Sequence, residues 1–175
     1  MKLLAFAASS SSKSINKKLA TYTCSLLEDA DTEILDLNDY EMPIYSSDRE
    51  EAGGIPQLAH DFYGKIGAAD ALVISFAEHN GSYTAAYKNI YDWASRIDAK
   101  VFQGKPMVLL SASPGPRGAA TVMATIKASA PHFGGDVKAD LSIGSFYDNF
   151  DMEKSCLTDA GLDTQLRAAL ATLQE

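Results

Sequence analysis

Residues 71–77 read Ala71-Leu72-Val73-Ile74-Ser75-Phe76-Ala77, an apolar run interrupted by a single serine. Apolar residues at odd and even positions alike suit a strand buried on both faces, the habit of a parallel sheet covered by helices. Working outward, similar runs stand at Leu3–Ala8, Ile34–Leu37 and Pro106–Leu110, with a weaker one at Val137–Ile143. Helical spacing fills the gaps between them. Ile15, Leu19, Tyr22 and Leu26 share a stripe, with Ser14 placed as an N-cap. Ile55, Leu58, Phe62 and Ile66 form a second stripe behind Pro56. Ala86, Ile90, Trp93 and Ala94 form a third; Val122, Ile126 and Ala130 a fourth; Leu162, Leu166, Leu170 and Leu173 a fifth.

Five strands alternating with five helices predict an α/β, doubly wound five-stranded parallel sheet with helices on both faces. The flavodoxin-like strand order 2-1-3-4-5 suits this length, as one domain over residues 1–175. The chain is 46% hydrophobic and 22% charged, so a folded core is the expectation. Its net charge of −8 argues against nucleic acid as a partner, because such binding rests on neutralising phosphates. No apolar run is long enough to span a bilayer, and the stretch after Lys2 reads against a signal peptide. Cys24 and Cys156 form no C-x-x-C and read as free thiols of a cytoplasmic protein.

Sheets of this kind bind ligands beyond the carboxyl ends of their strands. After strand 1 comes Ser9-Ser10-Ser11-Ser12-Lys13-Ser14-Ile15-Asn16. The first glycine in the chain is Gly53, which excludes both the G-x-G-x-x-G and the G-x-x-x-x-G-K-[ST] loops here. Hydroxyls ahead of a helix N-terminus nevertheless suit an anion. Residues 1–27 hold Lys2, Lys13, Lys17 and Lys18 and no acid, a local charge of +4 in an acidic chain. The same residues also fit a plain polar loop with a serine cap.

After strand 3 stands Glu78-His79-Asn80-Gly81-Ser82-Tyr83. Asn80-Gly81 signals a turn, and the helix pattern behind it reads against a hairpin. Backbone N–H groups, an amide, a hydroxyl and two rings there suit a flat polar-edged ligand, or an ordinary loop. His60, His79 and His132 have no ligand spacing, so no metal is expected. After strand 4, Ser113-Pro114-Gly115-Pro116-Arg117-Gly118 makes a stiff, closely approachable turn. Arg117 suits a nucleotide phosphate or open solvent.

With all three loops in view, the sequence resembles the NADPH-dependent FMN reductase family, which includes flavin, quinone, azo-dye and chromate reductases. The family's G-S-x-R-x-x-S-x-N is met at Ser9, Ser14 and Asn16, with Ala8 and Ser11 in place of the glycine and arginine. Its P-E-Y-N-x-S-x-P-x-x-L-K-N-x-x-D-W is met at Glu78, Asn80, Ser82, Lys88, Asn89, Asp92 and Trp93. Both prolines are missing from that second motif, and His79 replaces the tyrosine. Gly104-Lys105-Pro106, Ser111-Ala112-Ser113-Pro114-Gly115 and Met42-Pro43-Ile44-Tyr45 complete the likeness.

The resemblance implies a flavodoxin-like fold and bound FMN. It places the phosphate at Ser9, Ser11, Ser14 and Asn16, with Ile15 in the same loop. The ring is implied against Glu78, His79, Asn80, Gly81 and Ser82, its other edge near Ser113 and Gly115. NADPH or NADH is the implied hydride donor, and a small flavin, quinone or similar molecule the acceptor, in ping-pong order with no side-chain nucleophile. Lys88, Asn89, Asp92 and Trp93 are implied to brace a helix. A homodimer or homotetramer is implied by the same analogy. The competing reading is a flavodoxin-type electron carrier that binds FMN without oxidising NAD(P)H. A phospho-acceptor domain is rejected because residues 7–12 lack carboxylates, and a hydrolase finds no G-x-S-x-G.

Overall fold

The computed structural model describes residues 1–174 and orders its main sheet β2-β1-β3-β4-β5, every neighbouring pair parallel. The strands are β1 (Lys2–Ala8), β2 (Asp31–Leu35), β3 (Ala71–Phe76), β4 (Pro106–Ala112) and β5 (Asp136–Ile143). β3 is buried at every residue, as its unbroken apolar run requires. β2 is an edge strand that is mostly exposed, and its polar start hid three of its residues from a reading of apolar runs. The strand therefore spans 31–35 rather than 34–37, and Leu37 lies buried in a 3-10 turn, Leu37–Tyr40.

Seven α-helices lie among the described residues: α1 (Ile15–Ser25), α2 (Ser47–Gly53), α3 (Gln57–Ala68), α4 (Ala85–Ala94), α5 (Ala120–Ser129), α6 (Phe146–Asn149) and α7 (Ala160–Ala171). One face of the sheet packs Phe6, Ile74 and Leu109 against Phe62, Trp93 and Ile126 of α3, α4 and α5. The other packs Ala5, Val73 and Leu110 against Leu19, Leu166 and Leu170 of α1 and α7. Alternate residues of one strand thus feed two separate cores. Short α2, α6 and the two-stranded hairpin of β6 (Phe150–Asp151) and β7 (Cys156–Leu157) carry too few residues for a periodic pattern to show. No helix among the described residues is long and apolar enough to cross a membrane.

Candidate functional site

Parallel register brings three strand ends together. Ala8 lies opposite Phe76, and Phe76 opposite Ser111, so the loops after β1, β3 and β4 leave the sheet side by side.

The first loop is drawn into a series of short turns. Ser9 Oγ accepts the Ser11 N–H at 3.2 Å, and Ser11 Oγ accepts the Lys13 N–H at 3.3 Å. Ser14 Oγ caps α1 by accepting the Lys17 N–H at 3.2 Å. The first-turn N–H groups of Ile15 and Asn16 have no acceptor within the helix. Ser10, Ser11 and Ser12 are exposed around that helix end, while Ser9 and Ser14 are buried. Asn16 faces inward instead and is 2% exposed. Its Nδ2 donates to Ala112 O at 3.1 Å, and its Oδ1 accepts from Ala112 N at 2.9 Å and Ser75 Oγ at 2.8 Å. This side chain clamps α1 to the ends of β3 and β4.

The loop after β3 is a closed turn. His79 N donates to Ser82 O at 3.0 Å and Ser82 N to His79 O at 3.1 Å, an antiparallel bridge. Asn80 and Gly81 hold φ of 52° and 76°, as a two-residue turn of this hand demands. A four-residue hairpin therefore does form, contrary to the sequence expectation, and α4 begins only after it. His79, Asn80, Gly81 and Ser82 are all exposed. Thr84, which the sequence reading passed over, ties this loop to the first. Its Oγ1 donates to Ala8 O at 3.0 Å and accepts the Tyr87 N–H at 3.2 Å, capping α4. Glu78 turns toward the third loop, its Oε2 accepting the Val122 N–H at 2.8 Å.

The loop after β4 is held against the 143–146 segment. Ser113 N donates to Ile143 O at 3.2 Å, Ser145 N to Gly115 O at 2.9 Å and Phe146 N to Ser113 O at 3.1 Å. Ser113 Oγ is spent on Gly115 O at 3.0 Å. Gly144 makes the packing possible, since a Cβ there would lie 2.2 Å from Pro116 O. Pro114, Gly115, Pro116 and Arg117 stay exposed.

Of the four early lysines, Lys2 alone stands apart. Lys2 begins β1, at the opposite end of the strand from the loops. Lys17 pairs with Asp36, whose carboxyl its ammonium holds below the usual range. Lys13, Lys17 and Lys18 line a cavity of about 510 Å³ on the outer flank of α1, joined by Lys154 from the β6–β7 hairpin. A second cavity, about 350 Å³, opens beside Ser10 and runs to Tyr40, Met42, Ile44 and Ala86. Asn89 and Trp93 fix that wall: Asn89 Oδ1 accepts the Tyr45 N–H at 2.8 Å and Trp93 Nε1 donates to Pro43 O at 2.7 Å. No group of metal-ligating side chains assembles among the described residues.

A third cavity, about 300 Å³, lies between α4 and α5 and is lined by Tyr83, Tyr87, Tyr91, Phe102 and Phe133. The hydroxyls of Tyr87 and Tyr91 are buried there without a hydrogen-bond partner among the described residues. Burial holds both phenols far above their ordinary pKa, hence neutral.

Comparison with known proteins bears on these loops. A stretch of 122 residues is 34% identical to an NAD(P)H-dependent FMN reductase of Pseudomonas aeruginosa, covering 67% of this chain and 64% of that protein. A 116-residue stretch is 34% identical to a 2-hydroxy-1,4-benzoquinone reductase of a Burkholderia species, covering 65% and 61%. The matched stretch thus spans less than two thirds of the length of these curated relatives. Among solved structures, the flavoenzyme NAD(P)H:(acceptor) oxidoreductase FerB of Paracoccus denitrificans superposes with a TM-score of 0.78 at 24% identity, over 99% of this chain and 95% of that one. A Pseudomonas aeruginosa flavodoxin variant superposes at 0.61 with 14% identity over the full length of both chains, which fixes the shared fold. The family model described as NADPH-dependent FMN reductase matches residues 1–145, a span that contains all three loops. The chain belongs to the NADPH-dependent FMN reductase family.

Proposed function

We propose that the protein is an NAD(P)H-dependent, FMN-containing oxidoreductase that passes electrons from NADPH or NADH to a small acceptor such as a flavin or quinone. The observation that carries this reading is the alignment of the three braced loops at one end of a sheet in a chain of this family. The donor set fits the cofactor. Exposed hydroxyls of Ser10, Ser11 and Ser12, with the Ile15 and Asn16 N–H groups at the positive end of α1, suit a phosphate dianion. The exposed turn at His79–Ser82 and the Ser113–Gly115 backbone suit the edges of a flat polar ring.

Bound FMN supplies the hydride and electron transfer; the chain supplies binding, orientation and electrostatics. Ser9 and Ser14 act through the loop, since both are buried and their oxygens hold backbone N–H groups in place. Asn16 acts through the same loop by anchoring α1 to β4. The Gly115 N–H, set between two prolines that have none, is the donor available to charge that develops on the ring's pyrimidine edge. Arg117, exposed and without a carboxylate partner among the described residues, is assigned to the phosphate of the nicotinamide nucleotide. The acceptor class is supported by the quinone reductase named above.

We further propose one flavodoxin-like domain over residues 1–175, acting in the cytoplasm as a homodimer or homotetramer. Two unpaired cysteines support a reducing compartment. The aromatic cavity between α4 and α5 supports a second copy over that face. Steady-state rates with NADPH and a small quinone test the activity. Parallel double-reciprocal lines are expected, because donor and acceptor take turns at one ring face. No NAD(P)H oxidation with any acceptor would overturn it.

A further inference from the structure

Helix α5 starts without a cap of its own. Its N-cap residue, Ala119, sits in the left-handed region at φ 61° and offers no side-chain acceptor. The acceptor comes from another loop, as Glu78 Oε2 takes the N–H of Val122, the helix's third residue, at 2.8 Å. That is the position an N-cap side chain ordinarily serves, and a carboxylate there also meets the positive end of the helix.

The connection joins two units that are each stiff already. Glu78 directly precedes the His79–Ser82 turn, which closes on itself through two backbone bonds. Helix α5 directly follows the 113–118 loop, which is fixed to the 143–146 segment. The β3–β4 register fixes where the two loops leave the sheet, and beyond the strands the Glu78–Val122 bond ties them at one distance. A ring held between two walls loses dispersion contact steeply as the gap widens, and walls fixed beforehand need no ordering on binding.

We propose that Glu78 is a positioning residue that holds the 78–82 and 113–118 loops at the spacing a flavin ring requires, acting through the Val122 amide rather than by touching the ring. The inference rests on the FMN reading above and gives one of its residues a specific task.

Two variants test it. Glu78→Gln keeps an oxygen for the Val122 N–H; Glu78→Ala removes it. Hydrogen exchange at the Val122 amide is read without flavin, and affinity is read for FMN and for lumiflavin, which has the ring without the phosphate. Far-UV circular dichroism confirms that each variant is folded. In Glu78→Ala, exchange at Val122 should quicken, and both flavins should weaken by the same factor, about tenfold. Glu78→Gln should stay within about threefold of the parent on every reading. Undiminished binding in Glu78→Ala, or a loss in Glu78→Gln as deep as in Glu78→Ala, would overturn the positioning role alone. A parent protein that binds neither flavin would overturn the FMN reading and this role with it.

Discussion

Asn16 and Ala112 bond to each other in both directions across 96 residues of sequence: the side-chain amide donates to the Ala112 carbonyl at 3.1 Å and accepts from the Ala112 N–H at 2.9 Å. The amide thereby imitates one more strand residue at the end of β4. Ser75 adds a third bond to the same oxygen at 2.8 Å, so one buried side chain ties the start of α1 to β3 and β4.

Asn16→Ala should therefore cost more than one hydrogen bond. It leaves the Ala112 N–H and carbonyl and the Ser75 hydroxyl without this partner in the core. A loss of about 3 kcal/mol is expected, together with weaker FMN binding as the first loop loosens. Urea unfolding with circular dichroism measures it. A loss below about 1 kcal/mol would show that the clamp is dispensable.

Gly144→Ala probes the third loop. The added methyl would meet the Pro116 carbonyl, whose oxygen lies 2.2 Å from the Cβ position. The obstructing atom is backbone, so the 113–118 loop must move. Destabilisation of about 3 kcal/mol is expected, with flavin affinity reduced in parallel. Unchanged stability and unchanged affinity would contradict the packing described.

Tyr87 carries a buried hydroxyl with no acceptor among the described residues. Tyr87→Phe should leave the stability of the separated chain unchanged or raise it by about 1 kcal/mol. Thermal melts read the effect. A large drop in melting temperature would contradict the orphaned hydroxyl.

The two cysteines should react differently. Burial raises the Cys24 thiol from 9.0 to about 12. The folded-state pKa exceeds the unfolded one, so this site's contribution to stability is complete below pH 9 and falls as pH climbs from 9 toward 12. At pH 8 only Cys156, which is half-buried, should be titrated by a disulfide reagent in the native protein, with both reacting in denaturant. Two rapid equivalents in the native state would contradict this.

The sheet order and its five covering helices were legible because the central strands carry unbroken apolar runs, as in Ala71–Phe76, and the long helices a clear period, as in the Leu166–Leu170 stripe of α7. β2 was displaced because its first residues, Asp31-Thr32-Glu33, lie on an open edge where burial imposes no apolar pattern. At the site, motif spacing marked the three loops, yet could not say which side chains face inward. Ser11, Asn80 and Ser82 face solvent, whereas Asn16 and Glu78 are spent on distant backbone groups. Those partners, Ala112 and Val122, lie 96 and 44 residues away, and only the folded chain brings them together. The turn at Asn80-Gly81 was read as a turn alone, because the helix behind it masked a hairpin only four residues long.

One experiment bears most directly on the reading as a whole: titrate the purified protein with FMN while recording its visible spectrum, then add NADPH under nitrogen. Saturable binding with a perturbed flavin spectrum, followed by rapid bleaching on NADPH or NADH, is the predicted result. Flavin that binds and stays oxidised with either nucleotide would contradict the reductase and leave an electron carrier in its place. A spectrum unchanged by protein would contradict the assignment of the three loops to FMN.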